Sequence, residues 1–451
     1  MKIFFYTLIL FLSFYFPVSP GLHAQKLTIS PDQRFIRFDN GKPFFYLGDT
    51  AWELFHRLSR DEADLYLQDR AAKGFTVIQA VVLAELDGLK TPNSNGDLPF
   101  IGMDLSKPNE KYFQHVDYIV DKAASLGMFI GMLPAWGDKW NLKWGQGPEI
   151  FNTDNAYAYG KFIGRRYRDE PIIWILGGDR LPENDEDFAI VRAMVKGLAE
   201  GDEGNHLMTY HPMGGKSSSD FFHKDTWLLF NFFQSGHGPR DLPNYEFIIA
   251  DRNLAPIKPT MDGEPRYEDH PVQFRPGEYG WFDDFDTRQA AYWSMMTGAC
   301  GHTYGNHNIW QMWTVDRKPV SWARTEWKRA IHAPGSWQVG FMKSFFEKYP
   351  WQDMIPDQSL ILNFNPRSGE YQVSMISKDQ RIIFAYTPYG KPLKVDTGRL
   401  KPGKFTAAWF NPRDGKYLPV GNFNARPNHE FTPHSIGRGS DWVLVLECTE
   451  Q

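Results

Sequence analysis

The sequence predicts a (β/α)8 barrel followed by a small antiparallel β-sandwich. Strand-like and helix-like segments alternate through about eight units over some three hundred residues, which is typical of a parallel barrel. After Tyr349, apolar strand-like segments follow one another with only turn signals between them. We therefore expect a catalytic barrel with an N-terminal hairpin over residues 25–348 and an antiparallel module over residues 349–451.

The first residues predict an exported protein. Met1 and Lys2 precede an apolar stretch over residues 3–16, and Pro17 follows it, as in a secretory signal peptide ending near Ala24. We predict a signal peptide over residues 1–24 and a periplasmic or extracellular location. No later segment is apolar over the roughly 18 residues that a spanning helix needs, so no membrane insertion is expected.

The individual elements follow from local signals. An Asn-Gly turn at residues 40–41 predicts a hairpin between residues 35–38 and 44–47. Helices are indicated by apolar periodicity and by stop signals such as Gly74 and Gly127. The predicted barrel helices cover residues 60–73, 110–126, 153–168, 187–200, 245–252, 287–297 and 337–346. The predicted strands cover residues 75–83, 128–136, 172–179, 207–211, 227–233, 259–264 and 302–310, and in the module 384–387, 405–410 and 442–446.

Composition and motifs exclude several classes of function. The net charge of −5 gives no basic face for nucleic acid. Metal-ligand spacings such as C-x-x-C and H-E-x-x-H are absent, and so is a dinucleotide G-x-G-x-x-G after the first strand, so neither metal nor cofactor is predicted. Cys300 and Cys448 could pair in an oxidising compartment, but nothing in the sequence places them together. The oligomeric state stays open.

Two acids stand at the ends of predicted barrel strands. The apolar run 172–176 ends in Gly-Gly-Asp179-Arg180, the fourth strand, and residues 259–264 end at Glu264, the seventh. Catalytic groups of barrels lie at such strand ends. Retaining glycosidases place two carboxyls about 5–5.5 Å apart. The acids could instead be structural, with Asp179 paired to Arg180 or capping a helix and Glu264 simply at the surface.

Several short motifs together resemble the apiosidase-like glycoside hydrolases, family 140, over about residues 27–348. They are the segments 39–52, 177–180, 210–212, 234–237 and 262–268. The resemblance implies a retaining mechanism with Asp179 as acid/base and Glu264 as nucleophile, and an activity at apiose linkages in the pectic glycan rhamnogalacturonan-II. The C-terminal part resembles the module appended to these proteins and labelled collagen-binding.

The substrate is expected to be an oligosaccharide or polysaccharide, held by polar and aromatic groups near strand ends. The candidates are Asp49, Trp136, Trp140, Arg180, Tyr210, His211, Gln234, His237, Asp262, Arg266, His302, Tyr304 and Asn306. His302, Tyr304 and Asn306 alternate and are expected to point into the barrel. Asp262 is also the rival nucleophile.

Trp310 is a further stacking candidate. Arg180, Arg266 and Lys139 could pair with a carboxylate of an acidic glycan, and Arg180 is expected to turn away from Asp179. Each of these residues has a structural alternative.

Two other functions compete with the glycosidase. A non-catalytic glycan- or matrix-binding protein on a barrel scaffold is the main alternative, and the acid pair argues against it. A metal-dependent hydrolase would need His-x-His at the first strand, where this chain has Gly48-Asp49-Thr50.

Overall fold

The computed structural model describes residues 26–449, so the signal peptide predicted at residues 1–24 lies outside the described residues. The first eleven strands are β1 (Leu27–Ile29), β2 (Ile36–Phe38), β3 (Tyr46–Thr50), β4 (Val77–Leu83), β5 (Phe129–Ala135), β6 (Ile172–Gly177), β7 (Met208–His211), β8 (Lys216–Ser217), β9 (Asn231–Gln234), β10 (Thr260–Asp262) and β11 (Gly301–Tyr304). Strands of the C-terminal part are β12 (Met354–Pro356), β13 (Val373–Ser377), β14 (Ile382–Thr387), β15 (Leu393–Val395), β16 (Lys404–Phe410), β17 (Tyr417–Asn424), β18 (His429–Phe431) and β19 (Trp442–Cys448).

The helices lie between and after the strands of the first part. They are α1 (Leu54–Arg57), α2 (Arg60–Ala72), α3 (Glu110–Ser125), α4 (Thr153–Arg166), α5 (Asp185–Gly201), α6 (Ser219–Phe222), α7 (Tyr245–Arg252), α8 (Pro276–Tyr279), α9 (Asp284–Met296), α10 (His307–Trp310), α11 (Trp327–Ala330) and α12 (Pro334–Glu347). Helix α2 begins at a capping box in which Ser59 and Glu62 each bind the other's backbone N–H. Such caps explain why the predicted helix starts agree with the structure to within a few residues.

The parallel strands form the predicted barrel. Their order is β7-β6-β5-β4-β3-β11-β10-β9, and the short β8 pairs antiparallel with β9 at the edge. Between β7 and β9 the barrel is nearly closed, since the Leu229 N–H donates to the Met208 carbonyl at 3.0 Å. The fold class predicted from the sequence is therefore confirmed.

Alternation along each strand divides the barrel core into two layers. On β4, Val77 and Val81 belong to the cluster inside the barrel, whereas Ile78, Ala80 and Val82 pack against the surrounding helices. All seven residues of β4 are buried. Parallel strands covered on both faces have this near-continuous apolar character.

The C-terminal part is an antiparallel sheet of six strands in the order β12-β13-β14-β19-β16-β17, with the pair β15-β18 beside it. On β14, Ile383 and Ala385 face the small pair. Phe384 and Tyr386 face the barrel, where Tyr386 stacks on Tyr292 of α9 with ring centroids 5.0 Å apart. Both faces of the sheet are thus covered, which confirms an all-β part that follows the barrel.

The predicted hairpin at the Asn-Gly turn is present but short: Arg37 bridges Pro43, and the Phe44 N–H donates to the Ile36 carbonyl at 2.9 Å. Strand β2 also pairs with β1, and residues 46–50 continue from the hairpin as the first barrel strand. One local prediction was wrong. The strand predicted at 302–310 ends at Tyr304 and is followed by α10, because the Asn306 side chain accepts a hydrogen bond from the Asn308 N–H and starts a helix.

Cys300 and Cys448 are free thiols. Within residues 26–449 no helix combines the length and apolarity needed to cross a membrane.

Candidate active site

A pocket of about 450 Å³ opens at the C-terminal ends of the barrel strands. Asp179 and Glu264 both line it, so the structure brings the two predicted acids into one cavity. Four indole rings, those of Trp52, Trp136, Trp144 and Trp310, form much of the wall. An apolar wall with a few convergent polar groups is typical of a small-molecule site.

A tight turn after β6 presents Asp179. Gly177 and Gly178 have φ of 94° and 88°, and Asp179 itself has φ of 55°. A Cβ at Gly177 would lie 2.4 Å from the His211 carbonyl, and one at Gly178 would lie 2.8 Å from the Gly137 nitrogen. Only glycine fits this left-handed, crowded path. The non-glycine Asp179 carries backbone strain, which proteins concentrate at functional sites.

One imidazole supports both acids. The Asp179 N–H donates to His211 Nδ1 at 3.2 Å, so that nitrogen is unprotonated and the ring proton sits on Nε2. His211 Nε2 lies 2.8 Å from Glu264 Oε2. His211 is fully buried beneath the pocket and does not line it. Its position indicates a positioning residue rather than the predicted substrate ligand.

Glu264 is held as a carboxylate. Burial alone would raise its pKa, but the contacts of Glu264 with His211 and His237 outweigh burial and lower the pKa to about 2. His237 Nε2 donates to Glu264 Oε1 at 3.2 Å, and the His237 ring stacks on His270 with centroids 4.0 Å apart. Glu264 is therefore ionised across the ordinary pH range.

The pKa of Asp179 is shifted in the opposite direction, upwards. Burial and the nearby negative charge of Glu264 raise its pKa to about 6. The Trp144 indole N–H donates to Asp179 Oδ2 at 3.0 Å and partly opposes that rise. Two carboxyls whose environments separate their pKa values are suited to an acid and a nucleophile.

Arg180 does not line the pocket, but the prediction that it turns away from Asp179 was wrong, because its charge lies close enough to lower the pKa of that acid. Its Nε donates to the Asn141 carbonyl at 2.8 Å, and a second nitrogen binds the Trp144 carbonyl. The guanidinium lies under the Trp144 ring at 3.9 Å, and Nη1 is 3.8 Å from Asp179 Oδ2. This cation holds the loop that carries Trp144. The predicted contact with a substrate carboxylate has no support from its position.

Three further predicted residues line the pocket: Trp136, Gln234 and His237, together with the stacking candidate Trp310. Trp136 Nε1, Gln234 Oε1 and His237 Nδ1 are buried and have no hydrogen-bond partner among the described residues. Unpartnered buried polar atoms are costly in a finished core and are therefore candidates for ligand contacts.

Other predicted residues lie on the helix-facing side of the barrel. Asp49 binds Arg70 and Tyr66 of α2, and Tyr210 donates to the Arg180 carbonyl at 2.7 Å. Asp262 accepts hydrogen bonds from Ser235 and Asn244. It therefore does not share a face with Glu264. Alternation along β3, β7 and β10 turns these side chains outward.

The prediction that His302 and Tyr304 of the eighth strand point into the barrel was wrong. Thr303 points inward and its hydroxyl is bonded to Gln79 at 2.8 Å, so His302 and Tyr304 face the helices. Tyr304 donates to Glu268 at 2.5 Å. Asn306 caps α10. None of the three lines the pocket.

The remaining cation and indole candidates are also engaged elsewhere. Arg266 binds the Arg240 carbonyl, and Lys139 pairs with Asp138 at 2.7 Å. Trp140 is buried and its indole N–H points to the Gly177 carbonyl. None of them lines the pocket. Among residues 26–449, no group of three or more His, Cys, Asp or Glu is arranged to hold a metal ion.

Several residues of the wall are not among those predicted from the sequence. They are Glu85, Trp52, Trp144, Met213, Gly214, Gly236, Tyr267, His270, Phe274, His307, Val320 and Ser321. Glu85 carried a usable signal, because it follows a predicted barrel strand as directly as Asp179 does. The loop residues carried none, because their approach to the mouth depends on long connections.

Two solved structures that are similar to this chain are described as glycoside hydrolases. A solved structure described as a glycoside hydrolase is 32% identical, with a TM-score of 0.87 over 95% of this chain and 98% of that one. A structure described as a glycoside hydrolase family 5 protein from Bacteroides vulgatus is also 32% identical, with a TM-score of 0.86 over 94% of this chain and 93% of that one. No curated protein shows a significant match.

The barrel, the acid pair and these relatives define a glycoside hydrolase. The family model described as "Apiosidase-like, catalytic domain" matches residues 30–353. The chain belongs to this apiosidase-like family. A second model, described as "Putative collagen-binding domain of a collagenase", matches residues 355–447.

Proposed function

We propose that this protein is an exported, retaining glycosidase that acts on pectic plant cell-wall glycans, with Asp179 as acid/base and Glu264 as nucleophile. The observation that carries the proposal is the pair itself. One pocket holds an acid with a pKa raised to about 6 and a carboxylate with a pKa lowered to about 2, both supported by His211. Double displacement requires one carboxyl that acts as acid and base and one ionised carboxylate that acts as nucleophile.

The reaction would proceed in two balanced steps. Glu264 attacks the anomeric carbon while the glycosidic bond breaks, and Asp179 gives its proton to the departing oxygen, which leaves as an alcohol. A glycosyl ester of Glu264 remains. Water then attacks the same carbon, Asp179 takes the water's proton, and Glu264 is released as a carboxylate. Each acid ends the cycle in its starting state.

The substrate class follows from the family and from the sequence. The family description suggests apiose linkages, such as those in rhamnogalacturonan-II, and the N-terminal residues suggest export. We propose domain limits at residues 25–348 and 349–451, and a supporting role for the C-terminal module. No acid in that module lines the pocket, although its sheet packs on the barrel helices.

The test begins with a panel of 4-nitrophenyl glycosides and pectic oligosaccharides. Glu264→Gln should lose at least ~10³-fold in kcat, and Asp179→Ala about 10²–10⁴-fold on substrates with poor leaving groups. Azide should restore Asp179→Ala on the aryl glycoside and yield a glycosyl azide of retained configuration. Glu183→Gln is the matched control, since Glu183 lies four residues from Asp179 but binds Lys143 at the surface.

The stereochemistry of the first-formed sugar decides the mechanism. Proton NMR of the early reaction should show retention at the anomeric carbon. An inverted product, or wild-type activity in either acid variant, would overturn the assignment. Saturable binding of glycans without turnover of any of them would instead favour the non-catalytic binding protein.

A further inference from the structure

A third carboxyl, Glu85, lines the same pocket. It follows β4, the second strand of the barrel, and is half-buried at the mouth. Its side chain makes no hydrogen bond or ion pair with any described residue, whereas the neighbouring Glu53 is held by His56 at 2.7 Å and by the Leu86 N–H at 2.9 Å. A carboxyl this enclosed ordinarily has partners. Glu85 lines the cavity, and no residue among 26–449 binds its carboxyl oxygens.

The electrostatic surroundings of Glu85 are acidic. Burial, then the charges of Asp179, Glu53 and Asp138, raise its pKa well above the usual value, and Arg180 offsets this only in part. Glu85 therefore keeps its proton to higher pH than an exposed glutamate. A protonated carboxyl can donate one hydrogen bond and accept others, which suits it to sugar hydroxyls.

The position of Glu85 on the ring of strands complements that of the acid pair. Asp179 follows the fourth strand and Glu264 the seventh, while Glu85 follows the second strand and Gln234 ends the sixth. Second and sixth strands stand opposite each other in an eight-stranded barrel. Glu85 and the unpartnered Gln234 Oε1 thus lie on opposing walls, on either side of a sugar placed between the two acids.

We propose that Glu85 is a specificity-determining residue that binds a hydroxyl group of the glycosyl unit at the cleavage point. This inference rests on the proposed glycosidase function and names the kind of unit that the pocket accepts. The wall includes Glu85, Asp179 and Glu264 but no Lys or Arg among the described residues. A uronic acid at this position would bring its carboxylate towards ionised Glu264 with no Lys or Arg of the wall to pair with, so the unit bound there is an uncharged sugar.

The experiment uses the 4-nitrophenyl glycoside that the full-length wild-type protein cleaves best, with its monodeoxy analogues. Glu85→Ala should lower kcat/KM for the complete glycoside by about 10- to 100-fold, the range expected for one lost hydrogen bond of this kind. For the analogue that lacks the bound hydroxyl, wild type should lose a similar factor and Glu85→Ala little more. Such non-additivity identifies two groups in contact.

Glu85→Gln and Glu183→Gln complete the set. Glu85→Gln keeps the shape and gives a second chance if the alanine variant does not fold, and it should change the penalty for one deoxy position at least about fivefold. Glu183→Gln should leave every penalty unchanged.

Additive penalties at all positions, or kcat/KM within threefold of wild type for Glu85→Ala, would overturn the role of Glu85. Failure of the proposed function is a separate outcome, because wild type would then cleave none of the glycosides.

Discussion

Buried charged groups are paired at the contact between the barrel and the C-terminal module, whereas several buried polar atoms in the pocket have no partner among the described residues. At the contact, Arg288 binds Asp441 through two nitrogens at 3.1 and 2.9 Å and Asp284 through a third at 2.5 Å. Arg438 binds both Asp283 and Asp286. In the pocket, Trp136 Nε1, Gln234 Oε1 and His237 Nδ1 have no partner among the described residues.

Polar groups at the interface stabilise the fold, whereas those in the pocket wall are available to bind a ligand. A buried charge that loses its partner is strongly destabilising, and the charges of Arg288 and Asp441 at the interface are paired within the protein. The pocket wall leaves donors and acceptors free, which costs stability but lets them bind something that is not part of the chain. Changes at the interface should therefore affect folding, and changes in the pocket should affect activity.

The largest effect is expected from breaking the interface pair. Arg288→Met should lower the free energy of unfolding by about 3 kcal/mol, because Asp441 then stays buried with only weaker partners. Its kcat/KM should be unchanged at temperatures where it is folded. Denaturant unfolding and initial rates measure the two quantities.

The double variant Arg288→Met/Asp441→Leu is the control for that prediction. Replacing both charges removes the uncompensated carboxylate, and most of the lost stability should return. A double variant as unstable as the single one would show that the ion pair is not what matters at this contact.

Removing His211 should affect catalysis next most strongly. Without its Nε2 proton, the pKa of Glu264 rises from about 2, so the acid limb of kcat/KM moves to higher pH. We expect His211→Ala to lose on the order of 10²-fold in kcat as the nucleophile loses its support. The exposed His434→Ala should leave both the limb and kcat as in wild type.

A smaller effect, on the pH dependence of kcat/KM, is expected for a change at Trp144. Its indole N–H stabilises ionised Asp179, so Trp144→Phe should raise the pKa of Asp179 above about 6. Asp179 must be protonated to act, and the alkaline limb of kcat/KM should therefore move to higher pH by a fraction of a unit. A limb that stays fixed, or moves down, would contradict the assignment of Asp179 as the acid.

The smallest effect on stability is expected for Gln234→Ala. The lost oxygen has no partner within residues 26–449, so the free energy of unfolding should change by no more than about 0.5 kcal/mol. KM should rise, because the free oxygen is kept for the substrate. A clear loss of stability with KM unchanged would show that Gln234 stabilises the fold. It would contradict the contrast between the pocket and the interface.

The fold and the acid pair could be predicted because their signals are local. Short apolar runs between helical segments mark the barrel strands, and Asp179 and Glu264 follow two of these runs directly. The same rule applied to Glu85 would have found a third acid of the pocket. Strand periodicity and strand ends are thus informative without any knowledge of tertiary contacts.

The rest depends on contacts between distant segments. Asp49 lies near the end of a strand, as the two proposed catalytic acids do, but its partner Arg70 lies on a following helix, and no local pattern reveals the pairing. The four residues of β11 do not reveal which of them point into the barrel. The sequence predicts His302 there, but Thr303 holds that position in the structure. Trp144 and Phe274 reach the pocket on loops whose paths periodicity does not describe.

The C-terminal sheet has consequences for how this gene can change. Because Phe384 and Tyr386 on one face are pressed against the barrel, the module is not a cassette on a flexible tether. A recombination event that exchanged it would expose a contiguous apolar surface on both pieces and favour their aggregation. Exchange of the module is therefore expected to require compensating changes on the barrel face that it covers.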